Sequence, residues 1–442
     1  MVAAAGRYDQ AAIMLDDPKV RDLYGSRSDV LWKLDRGAVA LYLGDPSTAV
    51  SLLDDAERQI ETRREKSFGD SVTSWTLNDA AAAYVAEPYE DIYVNVLKLL
   101  AQLSAGNLDG GASVEARRLG PKADRLRDEY LTYRDRMESE SDESVRRAAR
   151  SGGLVVVNEE GDFIESPLGT YLAAVTFMKI GEREFQRVAG RRLVSSIRLQ
   201  QGLIGPVREE DFAGIEEASP SSVGVLVVAL SGRGPTKYAE SVGPIAVGTV
   251  PVYFELPRLM VHPSVVGAAR VEVRTPGAEP VEGAGGEQSP AAALAGPEVA
   301  PERTESLALI EDLSAVAAEN HRRMLPLIHA RTLIRAAIKA GVSATATEVA
   351  RRSASDKDQG LVQVAGVIAG LIFMGATEKA DVRCWMFLPG QAHVGTLDLP
   401  PGRHEVRVVY ESASGSVVSS TPWQPIEVAP GGLTSVVTYY GQ

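Results

Sequence analysis

The chain contains a single cysteine, Cys384, in 442 residues. This excludes an internal disulfide framework and a cysteine-built zinc site, because both need further thiols. Cys384 opens the apolar run Cys384-Trp385-Met386-Phe387-Leu388 and reads as a packed strand residue, since free cysteine is usually buried and inert. Histidine is scarce too. His262, His321, His329, His393 and His404 are scattered, and no two have the spacing that sets two ligands on one helix face. Each therefore reads as a surface or core residue. No metal or other cofactor is expected.

Positive charge is in deficit. A net charge of −13 excludes nonspecific nucleic-acid binding, which needs a basic surface. Residues Leu361 to Ala376 are nearly all apolar, but the stretch is short for a membrane span and carries Gln363 and three glycines, so a buried helix is expected. The opening Met1-Val2-Ala3-Ala4-Ala5 has neither the charged start nor the apolar length of a secretory signal.

Catalytic signatures are missing as well. There is no Gly-x-Ser-x-Gly elbow and no strand-borne dinucleotide fingerprint. Ser231-Gly232-Arg233-Gly234-Pro235-Thr236-Lys237 has the glycines and lysine of a phosphate loop but the wrong spacing. Pro235 also removes a backbone donor, so a turn between strands is expected. The acids Glu209, Glu210, Asp211, Glu216 and Glu217 read as solvated loop residues. The expectation is a protein that is not an enzyme.

What is present is ample core material: 45% hydrophobic and 24% charged residues, enough for two or three cooperative units. The clearest pattern is a series of helix pairs. In the unit from Val30 to Arg64, Gly37 lies on a first helix and Gly44-Asp45-Pro46 makes the turn. Ala49, Leu53 and Ala56 share a face of the second helix, in the manner of tetratricopeptide repeats. A second pair runs from Tyr89 to Arg118 around Gly106-Asn107, and a third from Pro167 to Val194 around Gly181. Uneven spacing makes this an irregular array. The segment Gly6 to Leu15 reads either as the second helix of an incomplete pair or as an amphipathic helix docked on the next one. Between Pro121 and Arg150 dense charge predicts a long solvated helix.

From Ser222 the period changes. Val223 to Leu230, Ile245 to Leu256 and Val265 to Val273 read as strands. Thr275 to Pro301 is rich in Pro, Gly, Ala and Glu and reads as a flexible loop or linker. A helical pattern is expected to resume at Ser306, with a break or kink at Pro326. Beyond Ala380, turns at Pro389-Gly390, Pro401-Gly402, Ser414-Gly415 and Pro430-Gly431 separate short strands of a small β-sandwich.

The expected class is therefore α+β: an irregular tetratricopeptide-like helical array, then a small β-sheet region, helices and a C-terminal β-sandwich-like domain. The expected divisions are 1–200, 201–274, 275–303 (linker or loop), 304–378 (helical) and 379–442.

Several stretches occur in an order that resembles an uncharacterised family of bacterial envelope lipoproteins. They are Tyr89-Glu90, Val114-Glu115-Ala116-Arg117-Arg118, Gly234-Pro235-Thr236-Lys237, Val250-Pro251-Val252-Tyr253, Leu325 to Arg331 with Arg335 to Lys339, Ala380 to Trp385, and Leu388-Pro389. The resemblance spans most of the chain. It implies export, lipid anchoring at an N-terminal cysteine and a periplasmic, outer-membrane-associated setting, with some relatives linked to activators of cell-wall synthesis. This chain shows neither signal peptide nor lipidated cysteine, so membrane attachment would run through an anchor missing from it.

Arg117, Arg118, Arg331, Arg335, Asp381 and Arg383 are the structural or interaction candidates. An ion pair between the helical and β parts is the expected role of Arg331, Arg335 and Asp381. The functional expectation is a non-catalytic envelope scaffold whose helix-pair concave face binds an extended or helical segment of a protein partner. The alternatives are an accessory regulator of a cell-wall synthase or other envelope machine, and an enzyme acting on envelope polymers through carboxylates at the junction of helices and sheet.

Overall fold

The computed structural model describes residues 7–69, 83–140, 165–204, 209–247, 250–276, 301–322, 325, 328 and 379–442. The chain is α+β, as expected. Its first half holds α1 (Tyr8–Asp16), α2 (Pro18–Tyr24), α3 (Asp29–Tyr42), α4 (Pro46–Gly69), α5 (Pro88–Ser104), α6 (Ser113–Glu140), α7 (Pro167–Lys179) and α8 (Arg183–Ile204). The pairs α3/α4, α5/α6 and α7/α8 are the three expected from the sequence. Gly44, Gly106 and Gly181 take positive φ at the turns, where a side chain would be strained. Ala49, Leu53 and Ala56 are wholly buried. Gly37 lets α4 approach: a Cβ there would lie 2.9 Å from Leu53 Cγ.

Helix α1 docks on the first pair. Its Tyr8, Ala11, Ala12 and Leu15 pack with Trp32 and Val39 of α3, and Trp32 Nε1 donates to the Leu15 carbonyl at 2.8 Å. Helix α6 runs unbroken through Pro121, and it is not solvated all round. Lys122, Ala123 and Leu126 are buried, because the helix packs on α5 and α7 while Lys122 reaches Glu57 of α4.

The strands are β1 (Val225–Ser231), β2 (Thr236–Val247), β3 (Val250–Met260), β4 (Ala268–Arg274), β5 (Arg303–Asp312), β6 (Gln391–Leu397), β7 (Gly402–Glu411), β8 (Val417–Ser420), β9 (Gln424–Val428) and β10 (Thr434–Tyr440). Three expectations are corrected here. Residues 303–312 form a strand, and helix begins only at 313, so the segment 304–378 does not open as a helix. Leu307 and Ile310 of the strand and Leu313 and Val316 of the helix after it stand three residues apart, a spacing that reads as one continuous helix. The run Ile245 to Leu256 belongs to both arms of the β2–β3 hairpin rather than to one strand. Cys384 is buried in an extended segment outside the sheet. The stretch Leu361 to Ala376 and the Pro326 break lie outside the described residues.

Strands β1 and β4 of the small β region join β5 and the C-terminal strands in one sheet, while β2 and β3 pair only with each other in a separate two-stranded sheet. The order of the larger sheet is β10-β1-β6-β5-β4-β7-β8, with β9 also paired to β7. Strand β1 runs parallel to β10 and antiparallel to β6. Strand β5 hands the sheet over from β6 to β4, with a register shift between Leu309 and Glu311. The sheet curls on itself so that Tyr410 of β7 donates to the Leu230 carbonyl of β1 and meets Thr438 of β10. Val225, Val227 and Ala229 point into this sandwich-like core with Val271, Val406 and Val408. Leu226, Val228 and Leu230, on the other face, pack into the helical core.

The same stacking buries α5 and α7 around nearly their whole circumference. They lie between the sheet and the outer helices α4, α6 and α8. The inner helical row is thus covered by the chain's own sheet.

Candidate functional site

On the outer side of the array a groove of about 710 Å³ opens between α4 and α6. Its floor is built around Lys98, the one basic residue of an otherwise mostly apolar helix α5, whose side chain has no exposed surface. An ammonium cannot be buried alone. Three carboxylates therefore converge on Nζ: Asp54 and Glu57 of α4 at 2.6 Å each, and Glu115 of α6 at 2.9 Å. Lys122 of α6 joins Glu57 at 2.7 Å to Asp91 at 2.9 Å, and Arg64 approaches Asp91 at 3.2 Å. Asn95 donates to Glu115 at 2.7 Å.

The network sets its own protonation. Burial alone would push Glu57 upward, but Lys122 and Lys98 outweigh it and hold the carboxyl at about 2. Burial likewise opposes the Lys98 charge, yet Glu57, Asp54 and Glu115 raise its pKa. The network sets four carboxylates, Asp54, Glu57, Glu115 and Asp91, against Lys98, Lys122 and Arg64, and Arg118 approaches Glu57 and Glu115 from the outside.

Two of the residues singled out from the sequence line this groove. Arg118 reaches Glu115 at 3.3 Å and Glu57 at 3.5 Å. Arg117 pairs with Glu182 at 2.9 Å, its guanidinium 4.7 Å from the Phe185 ring centre. Asp381 and Arg383 lie elsewhere, at the junction of helices and sheet, and pair with each other at 2.6 Å within one segment. One link from this segment to the helices is the Arg383 hydrogen bond to Ser28 Oγ at 3.1 Å. Arg331 and Arg335 lie outside the described residues. An ion pair between the two parts does exist, but it joins Lys237 to Glu87.

Sequence reasoning missed Lys98, Glu57, Glu115 and Lys122. A signal was available in the lone lysine of the run from Ile92 to Leu103, which needs buried partners.

The junction gathers other acids. Asp35 Oδ1 accepts the N–H groups of Met386 at 2.9 Å and Phe387 at 3.3 Å, while Oδ2 accepts from Tyr24 at 2.8 Å. Glu90 accepts from Trp385 N–H at 2.8 Å, from Glu87 N–H at 2.8 Å and from the Tyr84 hydroxyl. Glu311 takes Ser166 Oγ at 2.6 Å and Leu168 N–H at 3.0 Å at the start of α7. Burial pushes Asp35 and Glu311 up to about 7, and raises Glu90 as well. These carboxylates hold donors of their own chain, as pegs that fasten the sheet to the helices. Burial, with Glu90 nearby, also lifts the Cys384 thiol to about 11, which keeps it protonated and unreactive.

Among the described residues no group of three or more His, Cys, Asp or Glu side chains could hold a metal ion, and no helix is long and apolar enough to cross a membrane. Comparison with protein-family models, characterised proteins and solved structures gave no match.

Proposed function

We propose that this protein is a non-catalytic, protein-binding scaffold of the bacterial cell envelope, and that its partner sits in the groove between α4 and α6. The observation that carries this reading is the covering of α5 and α7 by the chain's own sheet, which among the described residues leaves the outer groove as an open concavity of the array. Helix-pair arrays present extended binding surfaces, and a groove on rigid helices over a fixed ionic floor is preorganised for a partner. The envelope setting, and attachment there through a lipid anchor, rest on the ordered series of motifs alone.

The test is photo-crosslinking. Val114 is half exposed and lines the groove, so a photoreactive residue at that position should give a discrete protein adduct in intact cells. The same probe at Val417, exposed on β8 in the sheet, serves as the control. The adduct should vanish when Arg118→Glu is added. An adduct pattern shared by the two positions, or none at Val114, would remove the groove from this role.

A further inference from the structure

The seam between the helices and the sheet holds two buried carboxyl groups that meet phenols rather than cations. We propose that the pairs Asp35–Tyr24 and Glu311–Tyr93 form a proton-operated latch, which holds the seam closed while both acids are neutral and loosens it once they ionise. The device is separate from the groove and does not depend on what occupies it.

Both acids bridge the two parts of the molecule. Asp35 of α3 holds the N–H groups of Met386 and Phe387, in the segment that leads into β6. Glu311 of β5 holds Ser166 Oγ and Leu168 N–H at the start of α7, and its register partner is Ala392 of β6. The two contacts thus fasten neighbouring strands to the helices. Neither acid has any exposed surface.

The geometry is that of carboxylic acids. Oε2 of Glu311 takes both donors, while Oε1 is buried without a hydrogen bond. An anion would leave charge on that unpaired oxygen. The neutral acid places its proton there, and the Tyr93 hydroxyl beside the carboxyl can accept it. Asp35 repeats the arrangement: two N–H groups occupy Oδ1, and a proton on Oδ2 donates to the Tyr24 oxygen 2.8 Å away. Among the described residues neither acid forms an ion pair.

The surrounding groups decide the direction. Asp35 faces Tyr24 of α2, Tyr42 of its own helix, Glu90 of α5 and the Cys384 thiol, all neutral or negative. Glu311 faces Tyr93 of α5, Ser166 at the start of α7, its neighbour Asp312 and the apolar Ala392. The amide dipoles at the start of α7 favour the anion, but burial is the larger effect, and both acids keep their protons up to about pH 7. An opened seam hydrates them and returns them to their ordinary values of 3.8 and 4.5. Closing therefore takes up protons. The opening constant rises between about pH 4.5 and about pH 7, by roughly tenfold per unit for each acid, and levels off above. Glu90, the third acid of the seam, is not part of the latch, because Lys237 favours its anion.

The experiment is hydrogen exchange on the full chain between about pH 5 and 8, read by mass spectrometry and corrected for the intrinsic exchange rate. Protection in peptides covering residues 168–172 and 384–390 should fall roughly tenfold per unit toward pH 7 and then flatten. Peptides of β7, inside the sandwich, should not follow. Asp35→Asn and Glu311→Gln imitate the neutral acids, and each should flatten the profile at its own amides. Infrared spectra of the wild type supply a readout that needs no variant to fold: the carbonyl stretch of a protonated carboxyl should be present at about pH 6 and fade as pH passes 7. Protection that ignores pH, an equal slope in β7, a slope that survives both amide variants, or the absence of that stretch overturns the proposal.

Discussion

Glu90 on α5 accepts the backbone N–H of Trp385 at 2.8 Å, closing a contact across 295 residues. Both of its oxygens face donors only: Trp385 N–H on one, Glu87 N–H and the Tyr84 hydroxyl on the other. Glu90→Gln keeps the shape but must turn an NH₂ toward one of these donors. The expected loss is about 1–3 kcal/mol, the cost of a buried donor left unpaired. A urea midpoint equal to that of the wild type would show that the contact does not fasten the two parts.

Asp35 is the contrasting case. Its Oδ1 takes two N–H groups, while Oδ2 meets a Tyr24 hydroxyl that can rotate to accept. Asp35→Asn should therefore fold. The folded pKa of Asp35, about 7, lies above its ordinary value of 3.8, so the folded state favours the protonated acid. The stability this contributes is fully present below about pH 4 and is lost as pH rises through 7. Asn cannot titrate. Asp35→Asn should gain on the wild type between pH 5 and 8, by on the order of 3–4 kcal/mol at most. Stability curves that stay parallel over that interval would refute the assignment.

Lys98→Met tests the groove floor. It removes the cation shared by Asp54, Glu57 and Glu115, leaving Glu57 and Glu115 buried with less compensation. Breaking a buried ionic group from one side costs about 3–5 kcal/mol. Denaturant titration with an unchanged slope and a lower midpoint is the expected readout. The Glu57 carboxyl should also rise from about 2, visible as acid unfolding beginning at higher pH.

Gly37→Ala tests the helix-pair contact. Alanine suits a helix by about 0.5–1 kcal/mol over glycine, but its Cβ would meet Leu53 Cγ at 2.9 Å. Overpacking costs about 1–3 kcal/mol, so a net loss is expected. In a Leu53→Ala background, itself worth about 2–5 kcal/mol, the loss should shrink or reverse. Additive effects would mean that the two residues do not interact.

The helix pairs were legible in the sequence because their determinants are local. Turn glycines at 44, 106 and 181 need a positive φ that other residues resist, and Ala49, Leu53 and Ala56 recur at the helical period. The turn dipeptides beyond Ala380 mark strand ends in the same way. Arg117 and Arg118 were found through a motif, without any sign of the groove that they line.

Tertiary structure alone decided the rest. Strand β1 is apolar from Val225 to Leu230 because one face meets the sandwich core and the other the helices, and such a run carries no record of its neighbours. Its pairing with β10, more than two hundred positions away, is made by backbone groups that every residue shares. Strand β5 was hidden because its Leu307 and Ile310 keep a three-residue spacing with Leu313 and Val316 of the helix that follows. The charges from Pro121 onward read as solvent-facing, yet Lys122 is buried together with Glu57 and Glu115 in the ionic network that Lys98 of α5 draws together. Whether a charge is surface or floor depends on what the fold sets opposite it, and a linear pattern does not contain that.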